Sequence, residues 1–181
     1  MSFFKHGLLI CVWLCGSASS WAQDDRPQTE PARTIDELLL FFPTKHPDGD
    51  WNPSGLRFED IDFKASDNTA LHGWLCEVKQ PQAIVLVMHG NAGNITHRAT
   101  LLKKLNQYGL TVFMFDYRGY GRSAGVPTVD GVLQDARAAR TTLAQRAKCQ
   151  ESDIVLMGQS LGGAIAVQLA AENAPRRSEE R

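Results

Sequence analysis

The sequence predicts an α/β fold in which an antiparallel strand pair precedes three parallel strands with crossover helices. Three apolar runs rich in β-branched residues, at 83–90, 111–117 and 153–158, are typical of strands buried on both faces of a parallel sheet. Helix-length segments separate these runs, and such alternation favours right-handed crossovers. A content of 43% hydrophobic and 22% charged residues agrees with a soluble domain.

The first 22 residues are predicted to be a signal peptide. Residues 7–15 form a short apolar run, and small residues follow it, with Ser20 and Ala22 at the −3 and −1 positions of a cleavage site. The run is shorter than the roughly 20 residues that a membrane span needs, so an uncleaved anchor is the less favoured alternative. We therefore expect an exported protein, periplasmic or secreted, with no stable membrane span after cleavage.

Composition divides the rest of the chain into three parts. Residues 23–33 are polar and contain prolines, as is typical of a linker. Residues 34–173 contain every predicted helix and strand, and residues 174–181 form a polar tail. The sequence therefore predicts one folded domain between a linker and a tail.

The domain is predicted to open with a short helix and a strand pair. Thr34 and Glu37 have capping-box spacing, and the apolar segment after them should remain helical until Pro43. Apolar and polar residues alternate at 56–66, which indicates a half-exposed strand. Residues 67–78 are predicted to supply its antiparallel partner after a turn.

Three further helices are predicted between and after the parallel strands. Asn94 can cap the first, which should stop at Gly109, and Thr128 can cap the second. The third, 161–172, is small and apolar on nearly every side, which indicates a helix packed closely against the sheet.

Charge and cysteine content restrict the function classes. A formal net charge of −1 argues against nucleic-acid binding. Cys76 and Cys149 lie in or beside apolar strands, so two buried free thiols are favoured, with a disulfide as the alternative in an oxidising compartment. Neither a zinc-site spacing nor a correctly spaced dinucleotide motif occurs, so we expect no metal and no cofactor.

The spacing Gly158-x-Ser160-x-Gly162 directly follows an apolar strand and opens a helix rich in glycine and alanine. This context is typical of a nucleophile elbow, in which small neighbours permit a tight turn that exposes the serine. We interpret Ser160 as a catalytic nucleophile. The alternative is a glycine-rich turn with an incidental serine.

A nucleophilic serine needs an oxyanion hole, which two backbone N–H groups normally form. Leu161, at the start of the helix, is the first predicted donor. Asn91, in the loop "HGNAGN" (89–94) after the first parallel strand, is the second. His89 could act as a base, but it ends the strand that carries this loop, and a role in hydrogen bonding neighbouring loops is favoured.

The loop "DYRGYGRSAG" (116–125) begins where the second parallel strand ends. Asp116 is a possible catalytic acid, but a loop-organising role is favoured. Tyr117, Arg118 and Tyr120 are expected to shape the rim of the site.

The motifs "HGNAGN", "DYRGYGRS" and "GQSLGG" occur in an order that resembles the α/β-hydrolase superfamily, in its serine-hydrolase branch (serine aminopeptidase-like or extended-lipase-like). The resemblance covers residues 34–173 and implies the N-terminal part of an α/β-hydrolase fold. It also implies a small-molecule ester, thioester or amide as substrate, with no choice among them.

The remaining two members of a catalytic triad are missing from the residues after Ser160. In this superfamily an acid and then a histidine follow the nucleophile along the chain. Here only Glu172, Glu179 and Glu180 follow, and Glu172 lies about three turns along the helix that the serine opens. We therefore expect a C-terminally truncated hydrolase, inactive as this chain. The alternatives are a non-catalytic remnant or binding module, or a triad completed by a separate chain.

Overall fold

The computed structural model of the protein describes residues 34–172. The predicted signal peptide, linker and polar tail lie outside these residues. The predicted strands and helices occur in the predicted order along the chain, and most of their boundaries lie within a few residues of those that the sequence pattern indicates.

The strands of the described region are β1 (Phe42–Pro43), β2 (Glu59–Lys64), β3 (Ala70–Cys76), β4 (Ala83–Met88), β5 (Ala92–Gly93), β6 (Leu110–Asp116) and β7 (Ile154–Gly158). Its α-helices are α1 (Ile35–Leu40), α2 (Ala99–Gln107), α3 (Val129–Ala147) and α4 (Leu161–Glu172). Short 3₁₀ segments at Ile95–Arg98 and Glu151–Asp153 precede α2 and β7.

The main sheet has the strand order β2-β3-β6-β4-β7. Strand β3 is antiparallel to both β2 and β6, whereas β6, β4 and β7 are mutually parallel. This arrangement confirms the prediction of an antiparallel pair followed by three parallel strands. The first parallel strand, β4, is the central strand of the three parallel ones, so its C-terminal end adjoins those of β6 and β7.

A second, two-stranded sheet was not predicted. Helix α1 ends at Leu40, earlier than the expected stop at Pro43, and the chain then extends so that β1 pairs in parallel with β5. The N-terminal segment is thereby joined to the 89–94 loop, next to the end of the central strand.

Alternate residues of β4 explain why its sequence is continuously apolar. Val85 and Val87 belong to a core cluster with Leu102 of α2, whereas Leu86 belongs to a second cluster with Ala136 of α3. Both faces of the strand are therefore buried under helices, as a parallel sheet requires.

The predicted helix caps are present, and the last helix packs against the sheet. The Asn94 side chain accepts a hydrogen bond at the start of the 3₁₀ turn before α2, and the Thr128 hydroxyl accepts one from Gly131 N–H at the start of α3. Helix α4 packs against the sheet through its buried side, as predicted, and Val167 on the opposite side is 71% exposed although the helix is apolar there too.

Within residues 34–172, no helix combines the length and the apolarity that crossing a bilayer requires. Cys76 and Cys149 are both free thiols in the structure. Cys76 is buried, whereas Cys149 is only partly buried, which corrects the expectation that both are buried.

Candidate active site

Ser160 occupies the turn between β7 and α4, as the motif spacing predicts. Its backbone is in the left-handed region, with φ of +53°, and the residue is exposed to solvent. A non-glycine residue in this region is strained, and such strain is typical of functional turns. The turn therefore presents the serine hydroxyl outward at the C-terminal edge of the sheet.

Two glycines make this turn possible because backbone approaches them too closely for any side chain. A Cβ atom on Gly158 would lie 2.1 Å from the carbonyl oxygen of Gly162. A Cβ atom on Gly162 would lie 2.0 Å from the carbonyl oxygen of Met88, at the end of β4. The glycines of the motif thus allow α4 to begin directly against the central strand.

The 89–94 loop lies beside the nucleophile. A Cβ atom on Gly90 would be 3.7 Å from the Cβ atom of Ser160 and 3.5 Å from the carbonyl oxygen of Gln159. Asn91 follows at once, so the structure brings both sequence motifs to one place.

The predicted oxyanion-hole donors have N–H groups without a described acceptor. Leu161 is the first residue of α4, and an N–H in the first turn of a helix has no intrahelical partner. Among residues 34–172, no loop or turn hydrogen bond uses the N–H of Asn91. The Asn91 side chain instead donates to the carbonyl oxygen of Leu40, at 3.1 Å. Any contact of Asn91 with an oxyanion would therefore involve its backbone.

The two tyrosines of the 116–125 loop do not form a rim, which corrects the sequence-based expectation. Tyr117 and Tyr120 are fully buried. The Tyr117 hydroxyl donates to the carbonyl oxygen of His89 at 3.0 Å, and the Tyr120 hydroxyl donates to that of Asn91 at 2.7 Å. The second motif therefore supports the first from beneath.

Asn94 connects the other end of the 89–94 loop to the N-terminal segment. Its buried side-chain amide donates to the carbonyl oxygens of Thr44 and Asp48, at 3.2 and 3.0 Å. Its side-chain oxygen accepts from the N–H and hydroxyl of Thr96. The sequence predicted the capping role, but the contacts with residues about fifty positions away carry no local signal.

Arg118 is the third residue whose expected position at the rim is wrong. Its guanidinium forms a bidentate pair with the buried carboxylate of Asp135 on α3, with hydrogen bonds of 2.8 to 3.2 Å. It also contacts Asp67, in the turn between β2 and β3, at 2.8 Å. Arg118 therefore fixes the 116–125 loop to two neighbouring elements.

His89 and Asp116 form a buried pair beneath the 89–94 loop. The imidazole Nδ1 lies 2.7 Å from the carbonyl oxygen of Gly90, and Nε2 lies 3.7 Å from Asp116 Oδ1. Asp116 Oδ1 also accepts from Ile95 N–H at 2.9 Å, so this carboxyl organises the loop.

Burial shifts both pKa values of this pair toward the neutral forms. Desolvation lowers the pKa of His89 to about 4 and raises the pKa of Asp116 to about 7. A buried imidazole with such a low pKa is a poor general base, so the structure favours the positional role of His89.

Within residues 34–172, no base or acid forms a hydrogen bond with the nucleophile. No hydrogen bond of the Ser160 hydroxyl is present there, and Glu172 is held at the far end of α4 by Arg137, at 2.6 and 2.8 Å. That hydrogen bond is the main reason why the pKa of Glu172 falls to about 2. Glu172 is therefore a surface ion-pair partner of Arg137 and is not placed to act as a base for Ser160.

An open pocket of about 520 Å³ adjoins the nucleophile. Ser160 forms part of its wall, and helices α1, α3 and α4 provide the rest together with Phe41, which directly follows α1. The volume falls in the range of small-molecule sites. In the part of the chain that the structure describes, no group of three histidine, cysteine or carboxylate side chains is placed to hold a metal ion.

A sequence model of the family described as serine aminopeptidase, S33, matches residues 79–179. The matched region is more than half of the chain and includes the 89–94 loop, the 116–125 loop and the Ser160 turn.

Curated relatives share this region. The chain is 40% identical over 118 residues to the uncharacterized protein YfhR of Salmonella typhi, covering 62% of this chain and 40% of the relative. It is 39% identical over 123 residues to the α/β hydrolase domain-containing protein WAV2 of Arabidopsis thaliana (65% and 39%). It is 32% identical over 152 residues to bem46 of Schizosaccharomyces pombe (78% and 51%). The chain thus spans about two fifths to one half of these relatives.

Solved structures show the same architecture. An esterase from Pyrococcus furiosus superposes with a TM-score of 0.64 at 22% identity, covering 75% of this chain and 53% of the esterase. An α/β hydrolase from Vibrio vulnificus superposes with a TM-score of 0.58 at 28% identity, covering 67% and 42%. The first of these likenesses concerns the fold alone.

Proposed function

Because this chain belongs to the serine aminopeptidase (S33) family of α/β hydrolases, we propose that the whole protein is a serine hydrolase acting on a small-molecule ester, thioester or amide. The observation that carries the proposal is the turn at Ser160. A serine with φ of +53° between a parallel strand and a helix, exposed beside a pocket, is built to present its hydroxyl to a substrate.

The proposed reaction has two steps with one covalent intermediate. Ser160 Oγ attacks the substrate carbonyl carbon, its proton passes to a base, and the leaving group departs with that proton. Water then releases the acid and restores the serine. The N–H groups of Leu161 and Asn91 would stabilise the negative oxygen of each tetrahedral intermediate.

We further propose that residues 1–181 do not catalyse turnover by themselves. Within 34–172 the Ser160 hydroxyl contacts no base, His89 is buried beneath the loop, and Glu172 is paired with Arg137. A histidine and an acidic partner would have to come from residues other than these.

The same observations favour a second candidate function, a binding module on the hydrolase scaffold. The pocket is present and open, whereas within residues 34–172 no base or acid forms a hydrogen bond with Ser160 in its wall. A module of this kind would bind the acyl compound without cleaving it. The proposed location in either case is outside the cytoplasm, since residues 1–22 have the pattern of a signal peptide.

The decisive experiment compares labelling with turnover. Purified chain is treated with an alkyl fluorophosphonate and, separately, with a short p-nitrophenyl ester, using Ser160→Ala and the exposed control Ser66→Ala. Slow labelling of the wild type and of Ser66→Ala, but not of Ser160→Ala, with no ester turnover, is expected. Sustained turnover that depends on Ser160 would contradict the proposed inactivity of residues 1–181, and labelling elsewhere would contradict the role of Ser160.

A further inference from the structure

We propose that the pocket beside Ser160 binds an aliphatic chain, so that the substrate carries a fatty acyl group and not an amino-acyl group. This inference rests on the proposed role of Ser160 as nucleophile, because that role identifies the pocket as the place where the acyl part of the substrate lies.

The position of the pocket relates it to the acyl group. Leu40 of α1, Leu133 of α3 and Ile165 of α4 contribute to its walls, and Ser160 is itself a wall residue. An acyl group joined to Ser160 Oγ would therefore begin inside the pocket and extend between the three helices.

The chemistry of the walls favours a hydrocarbon. Eight of the ten lining residues are apolar, and Ser160 and Gln168 are the polar ones. An aliphatic chain loses no hydrogen bonds when it enters such a pocket, and each buried methylene contributes favourably.

An amino-acyl group fits these walls poorly. Its α-ammonium would need a carboxylate, since burying an unpaired charge is costly. None of the lining residues is acidic. Glu37 on α1 uses one carboxylate oxygen to accept from Val129 N–H at 2.8 Å and the other to accept from Thr34 N–H at 3.1 Å. Among residues 34–172, no acidic side chain therefore lines the pocket, and the nearby carboxylate of Glu37 is already engaged by two backbone N–H groups.

Apolar residues continue beyond the pocket on α1. Leu39, next to the wall residue Leu40, is 70% exposed, and Leu38 is about half exposed. Val129 both lines the pocket and reaches solvent. A chain that fills the pocket would meet this apolar edge as it emerges, so affinity should continue to rise for longer chains.

The test measures binding without turnover. Isothermal titration of the 181-residue chain with hexanoate, octanoate, decanoate and dodecanoate is expected to show affinity rising by roughly two- to fourfold per methylene. Leucine amide, which carries the ammonium of an amino-acyl substrate, is expected not to bind. Equal affinities along the series, or leucine amide binding as tightly as octanoate, would overturn the proposal.

Variants locate the binding site. Leu133→Glu, at a partly buried wall position, should weaken dodecanoate binding at least tenfold, and Leu133→Trp should do so by filling the space while keeping the wall apolar. Val167 is exposed and is not a wall residue of the pocket, so Val167→Glu should bind as the wild type does. Similar losses in Val167→Glu and Leu133→Glu, or no loss in either Leu133 variant, would overturn the location.

Fluorophosphonate labelling and fatty-acid binding of the wild type together separate this inference from the proposed function. Chain-length-dependent binding without any fluorophosphonate labelling of the wild type would support the aliphatic-chain pocket and contradict the role of Ser160 as nucleophile. Labelling of Ser160 without fatty-acid binding would support the nucleophile and contradict the aliphatic-chain pocket.

Discussion

The hydroxyl of Tyr120 donates a hydrogen bond of 2.7 Å to the backbone carbonyl oxygen of Asn91. Tyr117 makes the corresponding bond to His89, so two buried rings of the 116–125 loop hold the carbonyl groups on either side of Gly90 in the 89–94 loop. Two motifs that are separate in the sequence thus form one structural unit. Its consequence is that the predicted oxyanion donor at Asn91 depends on side chains that never contact substrate.

Removing either tyrosine hydroxyl should weaken this unit. Tyr120→Phe and Tyr117→Phe are each expected to lower the free energy of unfolding by about 1 kcal/mol, because a buried hydrogen bond is lost while the ring remains. Urea unfolding measures the change, with Tyr108→Phe as control, since Tyr108 is exposed. If Tyr108→Phe lowered the free energy of unfolding as much as the other two variants, the loss could not be attributed to the buried hydrogen bonds.

Alanine substitutions at the neighbouring residues Gly162 and Gly163 should have opposite effects on stability. Gly162→Ala places a methyl group 2.0 Å from the Met88 carbonyl oxygen, which is backbone and cannot move aside, so a loss of more than about 3 kcal/mol or failure to fold is expected. At Gly163 the nearest atom to a new Cβ is 3.7 Å away, and Gly163→Ala should gain up to about 1 kcal/mol from helix propensity. Thermal unfolding compares the two, and equal effects would contradict this account of the turn.

The ion pairs of Arg118 and Arg137 are expected to differ greatly in their contribution to stability. Asp135→Ala removes the buried partner of Arg118 and should cost about 3 to 5 kcal/mol, because the guanidinium loses its bidentate acceptor inside the fold. Arg137→Ala breaks the exposed pair with Glu172 and should cost less than about 1 kcal/mol. Chemical denaturation of both variants tests this, and a cost for Arg137→Ala that matched Asp135→Ala would refute it.

The parallel core of the fold was predictable because its signals are local. Strand β4 is apolar on both faces, and the caps at Asn94 and Thr128 are single residues at helix starts. Each feature is decided within a few positions of the chain, where periodicity and side-chain chemistry are sufficient. The order of the strands in the sheet also agrees with the general rules of connection.

The supporting contacts of the site were not predictable, since they join distant residues. Tyr117 and Tyr120 were expected at a rim, but a tyrosine can be buried when its hydroxyl finds an acceptor, and the acceptors lie nearly thirty residues away. The β1–β5 pair was missed for a related reason. Two-residue strands leave no periodic pattern, and Phe42 looks like the continuation of an apolar helix.

His89 and Asp116 should give opposite pH dependences of stability. The folded-state pKa of His89, about 4, lies below its ordinary 6.5, so the unfolded chain binds more protons between these values and stability rises with pH there. The folded-state pKa of Asp116, about 7, lies above its ordinary 3.8, so the folded chain binds more protons and stability falls as pH rises. The two slopes oppose each other between about pH 4 and 6.5.

In Asp116→Asn, the pH dependence of stability that His89 causes should no longer be offset by the aspartate. The free energy of unfolding of this variant is expected to rise by roughly 3 kcal/mol between pH 4 and 6.5, whereas that of the wild type changes much less. Urea titrations at pH 4.0, 5.0, 6.5 and 7.5 measure it, with Asp62→Asn as control, since Asp62 is exposed. A flat profile for Asp116→Asn, or an equally steep one for Asp62→Asn, would show that this buried pair does not set the pH dependence.

The backbone strain at Ser160 makes a prediction that does not require activity. With φ of +53°, any residue with a Cβ atom is disfavoured at this turn by roughly 1–2 kcal/mol, whereas glycine adopts the conformation freely. Ser160→Gly should therefore be more stable than Ser160→Ala by about 1 kcal/mol, after the larger chain entropy of glycine is subtracted. Denaturant unfolding of the two variants measures the difference directly. If Ser160→Ala were the more stable of the two, the turn would not be strained, and the main structural support for a nucleophile at this position would be lost.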